Sequence, residues 1–277
     1  MADNFKIKMD IFQQLILGII QGITEWIPVS SEGTLLFVSS NFFGNTDINL
    51  FLRQALLLHL GTFFAALIYF RKDVKTLLEG FFHYDSSDPE TRKILKFLFI
   101  ATFISGILGL AILNFINLVH IERIPLTSSA INFFIGILLI ITGFLQLKAS
   151  SAGYRKEYHL NNRDSISLGI MQGFSAFPGL SRSGLTISTF LFRNFDETTA
   201  LRLSFIMSLP IVLLGNLLLN LRDFVFVKEL FIGFLAAFVM GLLTIHLLMG
   251  FSKKVRFGFF AISFGIIAIA AGIFGFF

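Results

Sequence analysis

The feature that most limits what this chain can fold into is a series of apolar stretches, each long enough to cross a membrane. A hydrocarbon core of about 30 Å takes about 20 helical residues. Runs of that length, nearly free of charge, lie near 52–70, 97–119, 126–147, 201–221, 228–250 and 257–277. With 55% of residues hydrophobic and a mean hydropathy of +0.80, the folded chain needs lipid as its solvent. Backbone groups in lipid must be paired within the protein, so helices are the expected element. The sequence therefore reads as an all-α integral membrane protein, one multi-pass domain over 1–277 in the plasma membrane. The basic start, with Lys6 and Lys8, precedes an apolar stretch but no small-residue cleavage site, so it reads as retained. There is no cysteine, which removes disulfide and thiol chemistry.

Two further apolar segments, 11–40 and 166–192, are interrupted by polar and helix-breaking residues. The first break is Pro28-Val29-Ser30-Ser31-Glu32-Gly33, and the second is Pro178-Gly179-Leu180-Ser181-Arg182-Ser183-Gly184. Irregular backbone at membrane depth survives only where protein buries it or it lines a wet cavity. Both segments are thus expected to be re-entrant hairpins that face each other. With that topology the loops near 71–96, 148–165, 192–202 and 251–256 share one side, which carries most of the basic residues, among them Arg71, Lys72, Lys75, Arg155, Arg163, Lys253 and Lys254. The positive-inside rule makes that side cytoplasmic and puts both termini outside. The formal charge of +5 is then explained by loops resting on anionic lipid, without nucleic acid as a partner.

Leu17-Gly18-Ile19-Ile20-Gln21-Gly22 recurs as Leu168-Gly169-Ile170-Met171-Gln172-Gly173, an offset of 151 residues that also aligns Ser30 with Ser181 and Gly33 with Gly184. The chain is read as two repeats, 11–147 and 166–277, each a re-entrant hairpin followed by three transmembrane helices. An odd number of crossings inverts the second copy, and inverted repeats place their sites between the halves, on the broken helices.

The costly polar residues lie there. Glu25 follows Gln21 by four positions, one helical face, and an intramembrane carboxylate costs about 2.5–3.5 kcal/mol on insertion scales. It reads either as functional or as the structural partner of Arg182. A guanidinium between Ser181 and Ser183 suits phosphate, which it binds in bidentate fashion, and N–H groups at a half-helix start add to that. Ser30 is a candidate helix cap, leaving the hydroxyl of Ser31 spare. Thr186, one turn after Arg182, can bind an anion or its own backbone carbonyl. His59, His83, His120, His159 and His246 show no ligand spacing and read as packing or loop residues, with only His59 near the expected cavity.

These motifs, Gln21 to Glu25 followed by Pro28-Val29-Ser30-Ser31, and Pro178-Gly179-Leu180-Ser181-Arg182-Ser183-Gly184-Leu185-Thr186, resemble the undecaprenyl-diphosphate phosphatases, the bacitracin-resistance family, over essentially the whole chain. The resemblance implies hydrolysis of a polyprenyl diphosphate to the monophosphate and inorganic phosphate, recycling a lipid carrier of glycan synthesis. It also implies a divalent cation, Mg2+ or Ca2+, on Gln21 and Glu25. Glu25, Ser31 and Arg182 take the catalytic places, with either Ser31 or a water attacking. Ser30, Gly179, Ser181, Ser183 and Thr186 take the substrate-binding ones. Two departures stand out: the family commonly has His where this chain has Thr34, and Gln21 replaces a second carboxylate. Glu32 is the residue placed to compensate as base or ligand. Expected partners are the lipid substrate and membrane lipids, with a homodimer as an allowed assembly. The competing reading is a transporter or flippase for a lipid phosphate, since broken helices in inverted repeats also build carriers.

Overall fold

The computed structural model describes residues 10–44, 48–118, 128–149, 153–177, 179–220, 228–251 and 257–274. Pro178 and the basic residues Lys6, Lys8, Arg123, Arg222, Lys253, Lys254 and Arg256 lie outside them. The described residues form eleven α-helices: α1 (Ile11–Thr24), α2 (Ser31–Phe42), α3 (Ile48–Tyr69), α4 (Arg71–Phe82), α5 (Pro89–Leu118), α6 (Ser128–Lys148), α7 (Asn162–Phe174), α8 (Arg182–Phe192), α9 (Glu197–Asn220), α10 (Lys228–Phe251) and α11 (Phe257–Phe274).

Several are apolar enough for a membrane. Pro89–Phe115, Glu197–Leu218 and Glu229–Gly250 are long enough to cross one, and Gln54–Tyr69 joins them if it is counted with α4 as one bent span. The shorter apolar helices include Ile11–Thr24, Asn132–Lys148 and Ala261–Phe274. The bend after α3 differs from the sequence reading, which left 71–96 as a loop. There α4 turns off α3 by 83°, because Arg71, Lys72, Asp73 and Lys75 end the apolar run and begin an amphipathic helix that cannot continue into lipid.

The two interrupted segments are helix–break–helix units, and each second helix starts on a serine. Ser30 Oγ accepts the N–H of Gly33 at 3.0 Å, and Ser181 Oγ accepts the N–H of Gly184 at 3.0 Å. These side chains satisfy amide groups that no helical carbonyl reaches. Gly179, in the second break, has φ +103, a conformation that glycine adopts at no steric cost. A capping box starts α7: Asn161 Oδ1 accepts the N–H of Asp164, whose carboxylate accepts the Asn161 N–H at 2.9 Å.

Small residues set the packing of α1 on α10 and of α7 on α5. A Cβ at Gly18 would stand 2.8 Å from Ala236 Cβ, and one at Gly169 would stand 2.9 Å from Ile104 Cβ. Without a hydrophobic drive between helices in lipid, such close backbone approach is the main source of association. On the pair α6 and α11, Gly136 and Gly265 each press on the other's carbonyl. Among the described residues, Trp26, Phe63, Phe70, Phe205 and Leu209 belong to a buried cluster that joins the end of α1 to α3, α8, α9 and α10 and walls the break between α1 and α2.

Candidate active site

Glu25 caps the C-terminal end of α1 and is 7% exposed. Its Oε1 accepts a hydrogen bond from Arg182 Nη2 at 2.6 Å. Its Oε2 accepts from Gln21 Nε2 at 3.0 Å and from Ser31 Oγ at 2.8 Å, and lies 3.2 Å from His59 Nε2. One carboxylate thus gathers a residue from its own helix, one from α2, one from α3 and one from α8. This is the arrangement a buried charge requires, since an unpaired carboxylate would lose several kcal/mol of hydration.

Arg182 is the first residue of α8, with its guanidinium 5.6 Å from the Trp26 ring and its Nη1 donating to Ser204 O at 3.3 Å. Ser183 Oγ donates to Ile27 O at 3.2 Å, and Gln146 Nε2 donates to Pro28 O at 2.6 Å. The first break is therefore held by side chains distant in sequence, Gln146 on α6 and Ser183 on α8. Ser181 Oγ lies 3.2 Å from Ser183 Oγ.

The structure brings together Gln21, Glu25, Ser30, Ser31, Arg182, Ser181 and Ser183 as the sequence motifs suggest, and it separates others. Thr34 donates to Ser30 O at 2.8 Å, a bond inside its own helix. Thr186 donates to Arg182 O at 2.8 Å and pairs with Ser204 Oγ at 2.6 Å, so it braces α8 on α9. Gly179 packs against Leu138. Of these three, none lines the cavity described below.

His59 was read as packing or loop, with a place near the cavity as its one distinction. The structure instead puts it on the carboxylate, with Nδ1 2.6 Å from Ala55 O. The carbonyl accepts, so Nδ1 carries a proton and Nε2 faces Glu25. Its signal in the sequence was a lone imidazole within an apolar span, and nothing local pointed it at Glu25. His83, His159 and His246 fit the packing or loop reading, bonded to Glu79 O, seated against Tyr158 and placed beside Tyr69 respectively. The contacts of Ser204 and Trp26 with Arg182 have no sequence signal, because they arise from the packing of α8 on α9 and on the end of α1.

A cavity of about 820 Å³ opens on this cluster. Glu25, Ser30, Ser31, Glu32, His59, Ser181, Arg182 and Ser183 line its polar part, and α4, α5 and α9 supply a long apolar part. Among the described residues, no group of three or more His, Cys, Asp or Glu side chains gathers as a ready metal cage. Two observations nevertheless suit a hard, oxygen-ligated cation. Gln21 Oε1 is buried with no hydrogen-bond partner, and Glu32, next to Ser31 in the chain, lines the cavity.

Sequence comparisons relate the chain to known proteins. The family described as bacitracin resistance protein BacA matches residues 14–272. A protein of Methanococcoides burtonii named undecaprenyl-diphosphatase is 38% identical over 269 residues, covering 94% of this chain and 98% of the relative. Proteins of the same name from Methanothrix thermoacetophila and Saccharolobus solfataricus are each 34% identical, over 269 and 270 residues, covering 95% and 94% of this chain and 97% and 94% of the relatives. The chain belongs to the bacitracin resistance protein BacA family.

Proposed function

We propose that this protein is an undecaprenyl-diphosphate phosphatase of the plasma membrane, hydrolysing a long-chain polyprenyl diphosphate to the monophosphate and inorganic phosphate. The observation that carries this reading is the shared carboxylate. Ser31 Oγ and Arg182 Nη2 both bond Glu25, at 2.8 and 2.6 Å, so a hydroxyl nucleophile, a proton acceptor and an anion-binding group meet at one point. A carrier needs the broken helices but has no use for a hydroxyl aimed at a carboxylate.

The substrate's diphosphate competes for the guanidinium, and Arg182 Nη2 exchanges Glu25 for the terminal phosphoryl oxygens while Trp26 and Ser204 flank the side chain. Glu25, released on that side, takes the proton of Ser31 as Ser31 Oγ attacks the terminal phosphorus. The P–O bond to the inner phosphate breaks, the polyprenyl monophosphate departs, and a water then cleaves the phosphoserine to release inorganic phosphate. His59 keeps the carboxylate oriented throughout. Phosphoryl transfer depends mainly on such positioning and on neutralising oxygens. Gln21 Oε1 and Glu32, adjoining Glu25, would hold a Mg2+ or Ca2+ ion, and that ion supplies further charge neutralisation on the phosphates. Glu32 thereby stands in for the carboxylate missing at Gln21.

The same proposal includes the inverted repeat, with halves 11–147 and 166–277. Its support is reciprocal packing: glycines at the 151-residue offset press α1 on α10 and α7 on α5, each against the second span of the other half. The hairpins are re-entrant, the basic loops face the cytoplasm and the termini lie outside, supported by the charge distribution.

Substrate labelled in the terminal phosphate, mixed with protein and quenched in acid within milliseconds, tests the chemistry. The expected result is label on Ser31, found by peptide mapping and absent in Ser31→Ala. Turnover with no labelled protein and an active Ser31→Ala would assign the attack to water.

A further inference from the structure

We propose that α4 selects the substrate by the length of its isoprenoid chain, held over the apolar arm of the cavity by a clasp of Asp73, Arg202 and Glu157. This inference rests on the phosphatase reading for the identity of the ligand and goes beyond it in assigning a helix outside the catalytic cluster.

The cavity is chemically divided. Away from Glu25 and Arg182, one arm runs under α4 and the start of α5 and is lined by Val74, Leu77, Leu78, Phe81, Leu95 and Phe99. The remainder, from α5, α7 and α9, includes Thr102, Ser105, Gln172, Ser175 and Asn216. The part of the lining contributed by α4 and the start of α5 carries no polar side chain, which suits a branched hydrocarbon. Leu78 is 54% exposed and Phe81 65%, so the arm is open at its side, as a chain longer than the cavity requires in order to continue into the bilayer.

The placement of α4 is over-determined. From α9, Arg202 donates through Nε to Asp73 Oδ1 at 3.1 Å, through Nη2 to the same oxygen, and through Nη1 to Glu157. Asp73, Leu77 and Phe81 succeed one another at four-residue spacing, so the face that Arg202 grips is the face that lines the arm. At the other end, Gly80 is buried against Thr91, and Ser87 Oγ donates to Gly80 O at 3.2 Å. Among the described residues of the second half, no helix corresponds to α4. An element pinned at both ends and turned toward the substrate cavity fits a selector better than a scaffold.

The test uses the full chain in nanodiscs with undecaprenyl and farnesyl diphosphate, comparing wild type with Phe81→Ser and Arg202→Met. In both variants the ratio of kcat/KM for the long over the short substrate is expected to fall about tenfold, the scale set by lost apolar contacts in a binding pocket. The fall should reside in KM for the long substrate. Phe81 is an exposed side chain and its replacement leaves the clasp intact, so the test survives a folding defect in Arg202→Met. A long-chain prenyl diphosphate with a diazirine in its tail is expected to label the peptide 71–82. An unmoved ratio, or labelling confined to α6 and α11, overturns the proposal while the phosphatase reading stands. Absence of wild-type turnover on both substrates overturns the phosphatase reading, and the labelling pattern still decides the role of α4.

Discussion

Arg182 Nη2 donates to Glu25 Oε1 at 2.6 Å across a sequence separation of 157 residues, joining the two broken segments through one buried ion pair. Both side chains are largely withdrawn from solvent, at 12% and 7% exposure. Removing one member strands the other, which costs about 3–5 kcal/mol for a buried pair, whereas replacing both by apolar groups of similar volume is close to neutral. Arg182→Met and Glu25→Leu should therefore each lower the thermal unfolding temperature in detergent. The double variant should recover most of that loss and remain without phosphatase activity, since the pair's chemistry is gone.

The neighbouring serines separate structure from chemistry. Ser30 caps α2 and Ser31 bonds Glu25. Ser30→Ala is expected to cost about 1 kcal/mol of stability, as for other lost caps, with turnover kept. Ser31→Ala should leave unfolding unchanged and cut kcat by about 10³-fold or more, as loss of a nucleophile does. Thermal unfolding and phosphate release, measured on the same preparations, separate the two.

His59 and Thr34 should behave in opposite ways. The imidazole steadies Glu25, and a displacement of order 1 Å in a catalytic group is worth about 10²-fold in rate. His59→Ala should therefore reduce kcat by about that factor. Thr34→Val should keep activity near wild type, because the lost hydroxyl served only the Ser30 carbonyl. Steady-state kinetics on the pair of variants decides between these roles.

Much of this was written in the sequence, and the remainder was hidden for physical reasons. The breaks read at 28–33 and 178–184 were legible because Pro, Gly and Ser clusters cannot form a lipid-facing helix, although α2 and α8 already begin inside them, at Ser31 and Arg182. Glu25 and Arg182 were legible because ionisable groups in apolar segments are expensive, and Gln21 and Ser31 because they stand beside Glu25 in the first motif. His59, Ser204 and Trp26 reach the site only through tertiary packing, which leaves no periodic trace. The helix α4 was missed because its charged first turn reads as loop, and its apolar face becomes meaningful only once α5 and α9 are beside it.

The glycine contacts yield a prediction about architecture. Gly18→Val and Gly169→Val each push a side chain into a neighbouring helix, where overpacking costs about 1–3 kcal/mol. If the halves are equivalent repeats, both substitutions should lower the unfolding temperature by similar amounts, with the substrate KM little changed. A large effect at one site alone would show that the two contacts are not counterparts.

The most direct test of the central claim is phosphate release from undecaprenyl diphosphate by the purified protein, with Mg2+ or Ca2+ and after chelation, in wild type, Glu25→Ala and Arg182→Ala. Release by the wild type that requires the cation and disappears in both variants is the predicted result. Undiminished release by either variant, or none by folded wild type with either cation, would contradict the assignment of hydrolysis to this site.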